Sequence, residues 1–224
     1  AEKCAQTDGR LRWTAMLPWL DTAAAVEEIR WAKANGACGI FKRGFDLNQP
    51  VGASHFFPIY EEANDLDLPL CIHTGHPGSE WDRGFPIISA FSSVVSSKLA
   101  DKFPALRFGF IEAGASWIPY ALSQLAMRER TERHHEEAVT FEVTRDLFQH
   151  NRLFVTIDPV DDIEHLLKLG TEDNLMIGTD YGHSDQSANV SALGEVGRWE
   201  EKGRISKGVA TKILEENPRV FYGL

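Results

Sequence analysis

Four polar side chains stand where apolar, strand-like runs of the sequence end: His73, Glu112, Asp158 and Asp180. In a barrel of parallel strands the carboxyl ends meet at one face, so side chains that are distant along the chain can surround one pocket. An imidazole together with carboxylates can hold a divalent cation there. Such a mixed nitrogen and oxygen set suits zinc, manganese or iron better than calcium.

The stretch around His73 shows this pattern most clearly. An apolar run at residues 70–72 leads into His73, and the glycines and the proline of residues 74–78 then prevent the strand from continuing. An imidazole therefore stands where a buried strand opens into a loop. Spacing alone leaves a plainer explanation open, because a lone histidine is often structural and a strand-end aspartate often caps the next helix.

Strand-like runs alternate with helix-like segments along the whole chain. Six such runs begin near residues 11, 37, 69, 107, 153 and 174. Strict alternation predicts parallel strands with helices outside, in either a barrel or a doubly wound sheet. No glycine-rich nucleotide-binding motif follows any of the runs, which favours the barrel. We predict an α/β fold, a (β/α) TIM-type barrel, with residues 1–224 as a single domain and residues 48–52 as a loop.

Composition narrows the classes of protein and partner. The 224 residues include 33 acidic and 23 basic side chains, and the net charge of −10 argues against a nucleic-acid partner. No apolar stretch reaches the roughly 20 residues of a membrane span, and residues 1–10 lack the layout of a signal peptide. Three cysteines without metal-type spacing fit a reducing compartment. We expect a cytoplasmic protein with a small-molecule substrate and neither a nucleic-acid nor a membrane partner.

Three segments and the C-terminus resemble one known family. The segments are Leu-Pro-Leu-Cys-Ile-His-Thr-Gly, Phe-Pro-Ala-Leu-Arg-Phe-Gly-Phe-Ile-Glu-Ala-Gly-Ala-Ser-Trp and Asn-Leu-Met-Ile-Gly-Thr-Asp-Tyr-Gly-His-Ser-Asp, and the chain ends in Glu-Asn-Pro-Arg-Val-Phe-Tyr-Gly-Leu. In this order they resemble the amidohydrolase-related family of the amidohydrolase superfamily. That family includes aminocarboxymuconate semialdehyde decarboxylase and resorcylate-type decarboxylases.

The resemblance implies a metal-dependent barrel in which a histidine of the fifth strand and an aspartate of the eighth strand bind the metal. His73 matches that histidine, and Asp180 matches that aspartate. The family usually adds a His-x-His or Glu-x-His pair at its first strand, whereas no histidine precedes His55 here. The chain therefore resembles a barrel that begins at its third strand and is N-terminally incomplete. Exposed sheet edges tend to pair with another chain, so we expect a homo-oligomer.

Glu112 departs from the pattern of the decarboxylase-type members. These members carry a histidine in the stretch Phe-Ala-His-Gly-Gly, where this sequence has Phe-Ile-Glu-Ala-Gly. A carboxylate at this position can act as a general base or as an additional metal ligand. The structural alternative is that Glu112 anchors a neighbouring strand or an arginine.

Three loop residues are candidates for substrate binding: His76, Arg83 and His183. His183 follows Asp180 in a loop where the family carries similar residues, and it would orient the ligands or touch the substrate. His76 suits a pocket wall, and Arg83 can hold a substrate carboxylate through two hydrogen bonds. His183 is also explained as an ordinary loop histidine, and Arg83 as a loop arginine that faces water.

The sequence thus predicts a metal-dependent hydrolase that acts on a small ester, lactone or amide. A divalent metal, with zinc preferred to manganese, would lower the pKa of a bound water. His73 and Asp180 would hold the metal, Asp180 would also accept the proton of that water, and Glu112 is the second catalytic candidate. Two alternatives stay open: a non-oxidative, metal-dependent decarboxylase of an aromatic or enol carboxylic acid, and a binding protein without catalytic activity.

Overall fold

The computed structural model describes residues 1–46, 48–74, 85–132, 146–184 and 188–224, with the backbone alone for 129–132. Two predicted substrate-binding residues, His76 and Arg83, lie outside these ranges. The strands are β1 (Trp13–Met16), β2 (Ala37–Arg43), β3 (Phe45–Asp46), β4 (Gln49–Pro50), β5 (Leu70–His73), β6 (Phe108–Ile111), β7 (Leu153–Ile157) and β8 (Leu175–Ile177). The helices are α1 (Glu2–Ala5), α2 (Thr22–Ala34), α3 (Phe57–Asp65), α4 (Phe85–Ser96), α5 (Leu99–Lys102), α6 (Ile118–Glu132), α7 (Leu147–His150), α8 (Ile163–Lys168), α9 (Ala192–Glu201), α10 (Lys207–Thr211) and α11 (Asn217–Tyr222), with a 3-10 turn at Ser54–Phe56 and a π-helical turn at Lys212–Glu216. Within the described residues, no helix has the length and apolarity needed to cross a membrane.

One parallel sheet contains six of the strands, in the order β1-β2-β5-β6-β7-β8. Every neighbouring pair in this order is parallel, and a helix follows each strand before the chain returns to the sheet. The strands β3 and β4 form a separate antiparallel ribbon just after β2. This alternation confirms the predicted α/β fold of the TIM-barrel class.

Alternate residues of the sheet face two different environments. One face packs against the helices in the main hydrophobic core, where Ile72 and Phe110 are fully buried. The opposite face, called the inner face below, carries a smaller apolar cluster that includes Cys71, Phe154 and Phe221. Because Phe221 belongs to α11, the last helix of the chain packs against the inner face.

Gly109 allows α11 to come this close to the sheet. A methyl group at Gly109 would lie 2.3 Å from Cζ of Phe221, which is too short for any real contact. Gly109 pairs with Cys71, two residues before His73 at the end of β5. The last helix therefore fills the inner face on the amino side of His73 and leaves the carboxyl ends of the strands to polar residues.

Lys42 is a buried charge on the helix-facing side of β2. Its ammonium group donates to Oδ2 of Asp46 at 2.8 Å and lies 3.7 Å and 4.2 Å from the ring centroids of Phe56 and Trp19. Burial lowers the pKa of Lys42, and the hydrogen bond to Asp46 opposes this effect. The carboxylate and the two aromatic rings replace the water that a buried ammonium group loses. Lys42 thereby ties the ribbon of β3 and β4 to the core.

We expect Lys42→Ala to lower the free energy of unfolding by about 3 kcal/mol, the lower end of the range for breaking a buried ion pair, because Asp46 is partly exposed. The substitution leaves Asp46 without its cation and empties the space between the two rings. Urea denaturation measures the effect, with Lys33→Ala as the control because Lys33 is exposed in the last turn of α2. Equal stability of the two variants would contradict this role of Lys42.

Candidate functional site

A cavity of about 160 Å³ opens at the carboxyl ends of β5 to β8. All four strand-end residues predicted from the sequence line it, together with Thr156 and Gly178: His73, Glu112, Asp158 and Asp180. These residues come from four neighbouring strands of the sheet. The convergence follows from the parallel topology, since strand ends with the same direction meet at the same edge.

The imidazole of His73 has both of its nitrogens in contact with oxygen. Nδ1 lies 2.7 Å from the carbonyl oxygen of Thr74, which can only accept, so Nδ1 carries the proton. Nε2 contacts Oε2 of Glu112. With Nδ1 protonated, Nε2 presents its lone pair on the same side as Oε2 of Glu112, so the two atoms can bind one cation. A backbone carbonyl that fixes Nδ1–H is a common arrangement in metal-binding histidines.

Glu112 follows β6 and turns its side chain into the cavity. Its amide donates to Oγ1 of Thr156 at 2.9 Å, and its side chain is 11 % exposed. The backbone of Glu112 has a φ of +63°, which is uncommon for a residue other than glycine. Oε2 of Glu112 contacts Nε2 of His73, so its carboxylate faces the end of the neighbouring strand β5.

Asp180 and His183 form a pair on the loop after β8. Nδ1 of His183 lies 2.8 Å from Oδ1 and 2.9 Å from Oδ2 of Asp180. The side chain of Asp180 is 19 % exposed and that of His183 is 60 % exposed, so the pair connects the cavity with solvent. Asp180 also has a positive φ, +48°. Residues in this sparsely populated region often occur at functional sites, where surrounding contacts hold them in place.

Ligand atoms of three of these side chains lie close enough together to share one ion. One atom each from Glu112, Asp180 and His183 lies within 4.8 Å of the others, and His73 contacts Glu112. Together these groups offer two imidazoles and two carboxylates. Such a set can hold a divalent cation of the manganese, iron or zinc type.

Asp158 lines the cavity but is partly committed to its own loop. Its Oδ1 accepts a hydrogen bond from the amide of Val160 at 2.9 Å, the local turn that aspartate commonly forms after a strand. The helix-capping role belongs instead to Asp162, which accepts from the amide of His165 at 3.1 Å.

Thr156 and Asp161 belong to the site but were not predicted from the sequence. Thr156 lies two residues before Asp158, so strand alternation places both on the inner face, and this periodicity is the signal that was available. Asp161 carries no such signal, because three of its four hydrogen bonds come from Ala115 and Ser116 on the loop after β6.

Comparison with known proteins identifies the family. A family model described as amidohydrolase matches residues 1–224. Gamma-resorcylate decarboxylase from Rhodococcus jostii (strain RHA1) is 26 % identical over 262 residues, which cover 100 % of this chain and 74 % of that protein.

Solved structures share the fold at lower sequence identity. An amidohydrolase from Mycobacterium avium subsp. paratuberculosis K-10 matches with a TM-score of 0.78 and 18 % identity, over 98 % of this chain and 59 % of that one. The 5-carboxyvanillate decarboxylase from Sphingomonas paucimobilis matches with a TM-score of 0.78 and 17 % identity, over 100 % of this chain and 70 % of that one. A dihydroxybenzoic acid decarboxylase from Polaromonas sp. JS666, with bound manganese and 2-nitroresorcinol, matches with a TM-score of 0.76 and 22 % identity, over 100 % and 72 %.

The prediction of a hydrolase for an ester, lactone or amide is wrong. Three of these similar proteins are named as decarboxylases of aromatic acids, which is the first alternative predicted from the sequence. The error has a chemical reason, since a cation held by histidine and carboxylate can polarise a carbonyl or bind a carboxylate equally well. His73 and Asp180 therefore could not distinguish the two reactions. Because the family model matches residues 1–224, the chain belongs to the amidohydrolase family.

Proposed function

We propose that this chain is a divalent-metal-dependent decarboxylase that removes carbon dioxide from a hydroxylated aromatic acid without oxidation. The observation that carries the proposal is the convergence of His73, Glu112 and Asp180 on one cavity. The similarity to gamma-resorcylate decarboxylase supports the reaction class.

His73, Glu112 and Asp180 are the residues that would hold the cation. The fit rests on the grouping of ligand atoms from Glu112, Asp180 and His183 within 4.8 Å, and on the contact of Nε2 of His73 with Oε2 of Glu112, which brings His73 to the same group. Manganese is the first ion to test, because two carboxylates suit it and a similar solved structure contains it. Zinc is the second.

The size of the cavity suits a substrate with a single ring. Its volume of about 160 Å³ is close to the ~150 Å³ of an engineered apolar cavity that binds benzene. Ile111 and Ile157 contribute apolar surface next to the charged groups. One ring with a carboxylate and a neighbouring hydroxyl would match this combination.

The reaction breaks one carbon–carbon bond and needs one proton. When bound, a divalent cation would supply positive charge that binds the carboxylate and the neighbouring hydroxyl oxygen of the substrate. Asp180 in its acid form would give its proton to the ring carbon, and carbon dioxide would leave with no oxidant required. His183 would return a proton from solvent to Asp180 across their 2.8 Å contact.

An assay with 2,6-dihydroxybenzoate and 5-carboxyvanillate tests this function. Protein loaded with manganese, and separately with zinc, is expected to release carbon dioxide and the ring product. In deuterium oxide, the product should carry one deuterium at the carbon that lost the carboxylate. Hydrolysis of aryl esters or lactones without any release of carbon dioxide from a panel of hydroxylated aromatic acids would contradict the proposal.

We expect His183→Ala to lower kcat by about 10- to 100-fold, the usual effect of losing a group that hydrogen-bonds to a metal-binding residue. Manganese affinity should fall less than in Asp180→Asn, because Nδ1 of His183 contacts the carboxylate of Asp180 and its side chain is 60 % exposed. His165→Ala is the matched control, since His165 is exposed on α8 and its side chain makes no contact with the cavity. A normal kcat in His183→Ala would remove this residue from the mechanism.

A further inference from the structure

Asp161 is a buried carboxylate that accepts four hydrogen bonds. It is 5 % exposed. Its Oδ2 accepts from the amides of Ala115 and Asp158, both at 2.8 Å. Its Oδ1 accepts from the amide of Ser116 at 3.0 Å and from the hydroxyl of Ser116 at 2.5 Å. Both oxygens are therefore occupied by donors from outside α8.

These hydrogen bonds join the two loops that carry carboxylates of the site. Ala115 and Ser116 lie on the loop after β6, three and four residues beyond Glu112, whereas Asp158 and Asp161 lie on the loop after β7. On its other side, Glu112 is held by the bond from its amide to Thr156. The backbone around Glu112 is thus fixed from both directions by residues of β7 and its loop.

Gly114 permits the close approach of the two loops. It has a φ of +59°, and a methyl group there would lie 3.2 Å from Oδ2 of Asp161. The indole of Trp117 donates to the carbonyl oxygen of Gly114 at 2.8 Å and holds the same turn from the core side. Gly114 also lines the cavity.

The carboxylate of Asp161 is not needed to cap the following helix. Asp162 is the N-cap of α8, so the helix has its own acceptor. The four donors that meet Asp161 are neutral amide and hydroxyl groups. Only a group with two acceptor oxygens satisfies all of them, because an asparagine amide would present N–H groups to other N–H groups.

We propose that Asp161 is a positioning residue of the site, which fixes Glu112 through the loop after β6 and thereby sets the metal affinity. Its effect on the metal rests on the function proposed above. Its effect on Glu112 does not, since the hydrogen bonds exist within the chain itself.

The test compares Asp161→Asn with Asp162→Ala. The second variant removes the N-cap of α8, one residue away, and leaves the donors from the loop after β6 untouched. Hydrogen exchange in the metal-free protein should show faster exchange at the amide of Glu112 in Asp161→Asn and no change in Asp162→Ala. In manganese titrations, Asp161→Asn should bind about 10- to 100-fold more weakly than the wild type, and Asp162→Ala should stay within about twofold of it.

The two measurements separate the possible failures. Unchanged exchange at Glu112 in a folded Asp161→Asn variant would overturn the positioning role, whatever the metal data show. Wild-type manganese affinity in that variant would overturn the link between Asp161 and the metal. If the wild-type chain binds neither manganese nor zinc, the proposed function fails, and the exchange at Glu112 still decides whether Asp161 positions that residue.

Discussion

Asp180→Asn is expected to lower manganese affinity by at least about 100-fold and to abolish decarboxylation. Loss of a group that only orients a ligand costs about 10- to 100-fold, and Asp180 is proposed as a direct ligand and as the proton donor. Asparagine is nearly the same size and tolerates the positive φ of this position, so the fold should be preserved. Manganese titration and steady-state kinetics measure the two effects.

Asp173→Asn is the matched control for this substitution. Asp173 lies before the amino end of β8, whereas the cavity lies at the carboxyl ends of the strands, and its partly exposed carboxylate pairs with Lys212. It should retain the manganese affinity and the kcat of the wild type. Retention of both by Asp180→Asn as well would refute the proposed role of Asp180.

Glu112→Gln is expected to lower manganese affinity by at least about 100-fold while much of kcat returns at saturating manganese. The reason is that the substitution removes a negative charge from the proposed ligands but keeps the shape of the side chain and the proton donor Asp180. Recovery at high manganese distinguishes a ligand from a general base, whose loss lowers kcat by about 10²- to 10⁴-fold at any metal concentration.

Glu164→Gln serves as the control for Glu112→Gln. Glu164 is exposed on α8 and pairs with Arg204, so its charge lies away from the cavity. If Glu112→Gln binds manganese as the wild type does and lowers kcat only, Glu112 is an acid or base and not a ligand.

Hydrophobic pattern was sufficient to predict the sheet and the convergence of the strand-end residues. Runs such as 70–72 are apolar because both faces of a parallel strand are covered, and the first polar residue after such a run must lie at the edge of the sheet. The ribbon of β3 and β4 was predicted as a loop over part of its length. Its strands are only two residues long, so they show no alternating pattern that the sequence could reveal.

The parts of the site that were missed depend on contacts between loops. Asp161 and Asp162 are identical in type and adjacent in sequence, and both suit a helix cap. Only the folded chain shows that Asp162 caps α8 whereas Asp161 reaches the loop after β6. No periodicity encodes such a choice, because it depends on the distance between neighbouring strand ends.

Anomalous diffraction from crystals of this chain soaked with manganese would locate the cation among the strand-end residues. We predict one strong peak in the cavity at bonding distance from Nε2 of His73 and from the carboxylate of Asp180, with Glu112 as a further ligand. A protein that releases carbon dioxide from an aromatic acid while its manganese lies elsewhere, away from His73 and Asp180, would contradict the account.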